Sequence, residues 1–194
     1  MRSIKTRLTA LIGGTILGVF LMFAAVIIYY MQQTIEDHAA SVLTMLGQQK
    51  ANELNVHMES VERAVGALEN YIESGVDAEK LKTDSSYQDS YMNELAERIK
   101  DMAKVAGDTA AMYFRPNPAV YGGTAGIFLT EDGYGGFSSI TPTDINKFDQ
   151  NDREHVGWYY EPVESGKAMW MEPYSNKNIN IYMISYVAPV YVDG

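Results

Sequence analysis

From Leu8 to Met31 the chain runs for 24 residues without a charged side chain (LTALIGGTILGVFLMFAAVIIYYM). No other feature limits the fold so strongly. As a helix this run is roughly 36 Å long, enough for a bilayer hydrocarbon core of about 30 Å. Arg2, Lys5 and Arg7 precede it, and Glu36 and Asp37 follow it. Positive charge is retained on the cytoplasmic side of a span. The pattern therefore places residues 1–7 in the cytoplasm, 8–31 across the plasma (inner) membrane, and everything after about residue 32 outside. Tyr29 and Tyr30 fall where an outer aromatic belt is expected. A cleaved signal peptide has an apolar region of about 7–15 residues and a small-x-small cleavage site. Here the run is longer and leaves through Val26-Ile27-Ile28-Tyr29-Tyr30, so an uncleaved anchor fits better. A buried helix of a soluble core fits the length and flanking charges least. Gly14-x-x-x-Gly18 offers a small-residue face, a weak signal for pairing of spans.

Beyond the span, apolar residues recur at Ile35, Ala39, Val42, Leu46, Leu54, Met58, Val61, Val65, Leu68 and Ile72. Spacings of three and four are those of one helix face. They predict a helix from about Gln33 to Ser74, with Gly75 as its stop. Residues 32–75 thus form a long extracytoplasmic helix. Its membrane-near half is expected to pair with a second copy of the chain as a homodimer, and its far half to pack on a sheet. Residues 75–87 read as a polar loop. Ser86 with Asp89 reads as a capping box for a second helix ending near Val105, with Met92, Leu95, Ile99, Met102 and Val105 on one face and Gly107 at its end.

The period then changes to two. Thr109 to Arg115 alternates, with Ala110, Met112 and Phe114 on one face and Ala111, Tyr113 and Arg115 on the other. Pro116 and Pro118 end it. Asp132-Gly133 between the segments AGIFLT and GGFSS marks a hairpin. AMWME and INIYMISYVAPVY read as further strands, joined by a turn at Ser175–Asn178. Helices preceding and covering an antiparallel sheet of successive hairpins make the fold class α+β, with residues 76–194 as one module. Asp193-Gly194 resembles the first half of another hairpin, which predicts a polypeptide that continues.

Composition removes several functions. The net charge is −10, from 15 basic and 25 acidic residues, so no basic face is available for nucleic acid. With no cysteine there is no disulfide, thiolate metal site or Cys nucleophile. His38, His57 and His155 are far apart, so no catalytic group is assembled in sequence. Asp149, Asn151 and Arg153 begin like a calcium loop, but Arg in the fifth place and the lack of Gly in the sixth break it. Asp144, Asp149, Asp152 and Glu154 read as a solvated acidic loop. Gly122-Gly123 and Gly135-Gly136 lack the context of phosphate loops. No catalytic residue, metal or cofactor is expected.

The densest chemistry lies in HVGWYYEPVESGKAMWMEPY, His155 to Tyr174. Tyr and Trp give apolar walls with polar tips, which suits a small polar ligand. Tyr113 and Arg115 could reach the same space. Arg115 suits a carboxylate, while a cationic ligand could use the rings. Trp170 and Tyr186, on strands, equally suit the core. With the membrane helix and the long helix before it, the pattern GWYYEPV, W…PY (Trp170 to Tyr174) and SYVAPVY (Ser185 to Tyr191) resembles the double Cache domain. This is the PAS-like extracytoplasmic sensor of bacterial chemoreceptors, sensor histidine kinases and cyclic-di-GMP enzymes. The resemblance covers residues 33–194. It implies a membrane-distal sensor module, with the ligand held between the sheet and a loop carrying Trp158-Tyr159, and an output module beyond this sequence. The subgroup that binds amino acids has Trp-Tyr and a later Tyr, matched here by Trp158, Tyr159 and Tyr174, but its Arg two residues before the Trp is Val156. The ligand class therefore stays open, and the candidate ligand-binding set is Tyr113, Arg115, Trp158, Tyr159, Trp170 and Tyr174. The competing reading is a membrane-anchored enzyme or envelope protein, with the rings as core or partner surface.

Overall fold

The computed structural model describes residues 4–192; Arg2 and the Asp193-Gly194 turn lie outside them. The chain divides into two units, Met1–Leu54 and Asn55–Gly194. Helix α1 (Ile4–Gly75) carries both the apolar run and the amphipathic stripe, which the sequence separates only by composition. In the first unit every described residue is exposed, including the whole apolar run. Thr9 and Thr15 return their hydroxyls to the carbonyls of Lys5 and Ile12, both at 2.9 Å. That suits a helix in lipid, where no water is on hand to accept them.

In the second unit the same helix acquires a packed face. Ala64 and Ile72 are buried, and Met58, Val61, Val65 and Leu68 are half-buried. The residues from 76 to 84, expected as loop, include the short helix α2 (Ala78–Thr83), capped by the Asp77 carboxylate at the Lys80 N–H. Helix α3 (Ser85–Ala106) starts not on a Ser86–Asp89 box but on Asp84, whose carboxylate accepts from the N–H groups of Ser86 and Tyr87. The Asp84 carboxylate, two residues earlier, reaches two free amides at once. Gly107, at φ 80°, ends the helix where the sequence places its stop. Leu95 and Ile99 are fully buried as expected, whereas Val105 is exposed and Ala103 and Ala106 take the inner face. The far half of α1 shares one cluster with α3 and the sheet, in which Ile72, Leu95, Ile99, Met112, Ile127 and Leu129 lie together. Each large side chain fully buried there contributes roughly 1.5–3 kcal/mol.

Strands β1 (Ala111–Phe114), β2 (Ile127–Glu131) and β3 (Phe137–Ser139) form an antiparallel sheet in the order β1-β2-β3. A one-turn helix, α4 (Pro118–Tyr121), lies between β1 and β2. The β2–β3 hairpin forms at Asp132-Gly133, where the Asp132 carboxylate accepts from the N–H groups of Tyr134 and Gly136. Strand alternation holds in β1: Met112 and Phe114 join the core cluster with α3, while Tyr113 faces the other way, and Arg115 just past the strand lies over Trp158 as Tyr113 lies against it.

Further expectations change. The segment around Trp158-Tyr159 is not a loop but helix α5 (Arg153–Ser165), with Asp152 as N-cap and Gly166 in the left-handed conformation (φ 65°) as its end. Gly157 and Pro162 look like breakers in sequence, yet both lie within it. The strand region after it is not one sheet but two further two-stranded ribbons: β4 (Met169–Trp170) with β7 (Tyr186–Val187), and β5 (Tyr174–Asn176) with β6 (Ile181–Met183). Pro173 cannot donate to a ladder, and Ile184-Ser185 leaves the strand, so the long run breaks into β6 and β7. The turn within Ser175–Asn178 likewise moves on, because Ser175 and Asn176 belong to β5. Fold class is α+β, with helices before and against small antiparallel sheets.

Candidate functional site

Register builds the site. Tyr113 pairs with Phe128 across β1 and β2, and the two rings stack with centroids 6.0 Å apart. Helix α5 lays the edge of Trp158 against Tyr113 at 5.2 Å. The Arg115 guanidinium lies over the Trp158 ring, 5.6 Å from its centroid. Tyr159 follows Trp158 at 6.1 Å, also edge-on. Trp158 closes its indole N–H on the carbonyl of His155 at 2.8 Å, within its own helix. Pro162 has no N–H to offer the Trp158 carbonyl four residues earlier, so that acceptor is released from the helix ladder.

Arg115 is tied by backbone oxygens rather than by a carboxylate. Its Nε donates to Ala125 O at 2.9 Å, and its Nη2 donates to Thr143 O at 2.9 Å and to Gly123 O. The loop can come this close because Gly126, at φ 119°, has no Cβ to strike the Phe114 carbonyl, and Gly123 none to strike the Asp144 carboxylate. The remaining nitrogen, Nη1, is buried without a partner, and so is the Tyr113 hydroxyl. Leaving such a group unsatisfied costs about 1–3 kcal/mol. Two of them, on Tyr113 of β1 and on Arg115 just past its end, call for a partner.

Burial pushes the Tyr113 phenol well above its ordinary value, helped by Tyr174 and opposed by Arg115 and Ser185. Burial also pushes the Arg115 guanidinium down, opposed by Tyr159, Tyr113 and Asp144; a guanidinium still stays charged in a protein. Tyr174, on β5, shares a hydrogen bond with the Ser185 hydroxyl at 2.9 Å, and burial raises it too. Ser185 is the buried polar residue that sequence reasoning passed over. Its signal was present, as the first residue of SYVAPVY.

Tyr113, Arg115, Trp158, Tyr159 and Tyr174 therefore lie around one region on the sheet face away from α3. Trp170 stands elsewhere: its indole N–H donates to the Glu62 carboxylate on α1 at 2.7 Å, and its ring lies 5.2 Å from Tyr186. The acidic residues 144–154 are largely caps: Asp144 binds the Asn146 N–H, Asp149 the Asn151 N–H, and Asp152 the His155 N–H. Among the described residues no three His, Asp or Glu side chains are grouped to hold a metal ion.

No curated protein and no solved structure matches the chain. The family model described as methyl-accepting chemotaxis protein-like, first PDC sensor domain, matches residues 91–194, more than half of the chain and all of the site just described. A sensor domain of the chemoreceptor kind fits with the one helix, among the described residues, that is long and apolar enough to cross a membrane. The chain belongs to the family of methyl-accepting chemotaxis protein-like first PDC sensor domains.

Proposed function

We propose that the chain is the ligand-sensing region of a bacterial transmembrane receptor of the double Cache kind. Residues 1–7 are cytoplasmic, residues 8–31 form the anchor, and residues beyond about 32 are extracytoplasmic. The sensor binds a small polar molecule among Tyr113, Arg115, Trp158, Tyr159 and Tyr174. The observation that carries this reading is the pair of buried, unpartnered donors, Tyr113 Oη and Arg115 Nη1, set beside an aromatic cluster on the sheet face away from the core.

The receptor works as a homodimer. The exposed apolar residues Ile35, Val42, Leu46 and Leu54 supply the seam on α1. Ligand draws α5 and β5 towards β1, and the Trp170–Glu62 contact passes that change to α1. A ligand shifts the two signalling states only by its difference in affinity for them. The output is a chemotaxis, histidine-kinase or cyclic-di-GMP module.

A thermal-shift screen of the whole chain in detergent, with amino acids, organic acids, amines and purines, tests the reading. A ligand at a hundred times its dissociation constant adds about 2.7 kcal/mol, a shift of several degrees. At least one compound should give that shift, and Tyr174→Ala should abolish it. A folded chain that responds to none of the four classes overturns the sensing role.

A further inference from the structure

We infer that the ligand of this site is a small monocarboxylate, held by Tyr113 Oη on β1 and by Arg115 Nη1 one residue past its end. The inference rests on the sensing role proposed above and adds the chemical class and the residues that select it.

The free donors of the site fix the class. A guanidinium has five N–H groups. Nε–H is spent on Ala125 O, and the two on Nη2 are spent on Gly123 O and Thr143 O. Only the two on Nη1 remain, and Nη1 is buried without a partner. The two-pronged grip of an arginine on an oxyanion uses both Nη atoms or Nε with Nη2. That grip is closed here, because Nη2 and Nε already serve the loop. A third donor is the Tyr113 hydroxyl, two residues back; it has no hydrogen-bond partner of good geometry, and the Ser185 hydroxyl close by only opposes its raised value. Burial keeps that phenol protonated across the physiological range, so it donates. Three N–H or O–H donors suit the two oxygens of one carboxylate. They fall short of a phosphate dianion, whose three oxygens each seek more than one donor.

Charge points the same way. The guanidinium is positive, and Asp144, whose charge reaches it, accepts from the Asn146 N–H and makes no hydrogen bond to Arg115. A cationic ligand seeking ring faces would meet Arg115 already lying over Trp158. The remainder of a monocarboxylate would face Trp158, Tyr159 and Tyr174, whose ring faces are apolar and whose hydroxyls can meet a second polar group.

The test uses the full chain in detergent micelles, titrated calorimetrically with acetate, propionate, lactate, glycine and L-alanine. The corresponding amides, methylamine and inorganic phosphate are the controls. The expected result is that at least one carboxylate binds and its amide binds at least about tenfold more weakly, as for the loss of a charged hydrogen-bond partner. Tyr113→Phe keeps the ring stacked on Phe128 and removes only the hydroxyl; it should weaken that carboxylate by about tenfold at unchanged melting temperature. Arg115→Lys, which cannot reach three carbonyls and a ligand together, should lose it altogether. Binding of methylamine, an amide or phosphate without any carboxylate overturns the inference and leaves the sensing role standing. Equal carboxylate affinity in wild type and Tyr113→Phe also overturns it. Silence from every probe, with the broader screen silent as well, overturns both.

Discussion

Trp158 and Trp170 come from the same aromatic run, yet they end in different surroundings. Trp158 satisfies its indole N–H locally, on the His155 carbonyl of its own helix turn. Its ring can then serve as a wall beside Tyr113 and Arg115. Trp170 sends its N–H to the Glu62 carboxylate, more than a hundred residues earlier in the chain, and packs against Tyr186. A charge-assisted bond between distant elements works as a tie; a locally closed one leaves a surface. Similar residues thus divide into an open aromatic region, proposed above as the ligand site, and a tied region between distant elements.

Both regions stand on one core, so the largest effect should come from breaking it. Leu95→Ala removes a side chain with no exposure at the centre of the α1–α3–sheet cluster. The expected loss is about 2–5 kcal/mol, with near-ultraviolet circular dichroism from both tryptophan regions lost in one transition. Separate transitions would show that the regions fold independently.

Next comes Arg115→Met, which leaves three loop carbonyls without their donor. A loss of about 2–4 kcal/mol is expected from chemical denaturation. Smaller still is Trp170→Phe, which deletes one bond to a partly exposed carboxylate and should cost about 1 kcal/mol. Ligand affinity should stay unchanged, because Trp170 is away from the site. Trp158→Phe should cost similar stability and also weaken ligand binding. Equal ligand effects from the two variants would erase the distinction drawn here.

Ionisation gives the mildest probe. Burial raises the Tyr91 phenol to about 12, and Tyr113, Tyr159 and Tyr174 are raised as well. A raised tyrosine contributes stability that is complete below the ordinary value of 10.0 and is lost as pH climbs through the folded value. Stability should therefore fall above about pH 10, with a delayed group of tyrosinates in the ultraviolet titration. On the acid side, His155 hydrogen-bonds the Asp152 carboxylate and lowers it. That contribution is present above the carboxylate range and lost as pH falls through it.

Much of this was written in the chain where one local rule decides. The charge-free run, the stripe on α1, the Gly107 stop and the Asp132-Gly133 hairpin each depend on short-range patterns. So does the alternation through β1, which sets the Met112 face apart from the Tyr113 face. Helix α5 was hidden because Gly157 and Pro162 read as breakers, although Asp152 and Gly166 mark its two ends. Tertiary packing of Val156, which is fully buried, outweighs those propensities. The pairing of β4 with β7 around the β5–β6 ribbon, and the Trp170–Glu62 tie, depend on contacts far apart in sequence. No period reveals them. Ser185 is polar in a strand-like run, and only the fold sets it against Tyr174.

The most direct measurement uses the fact that the chain has two tryptophans. In Trp170→Phe the emission comes from Trp158 alone, and in Trp158→Phe from Trp170 alone. Titration of each with the compound that stabilises the chain separates the two regions. The account predicts a saturable change in Trp158 emission at the ligand's dissociation constant, as the molecule settles beside Arg115 and Tyr113. A saturable change confined to Trp170, with Trp158 emission flat in a variant that still binds, would place the ligand away from this cluster and contradict the account.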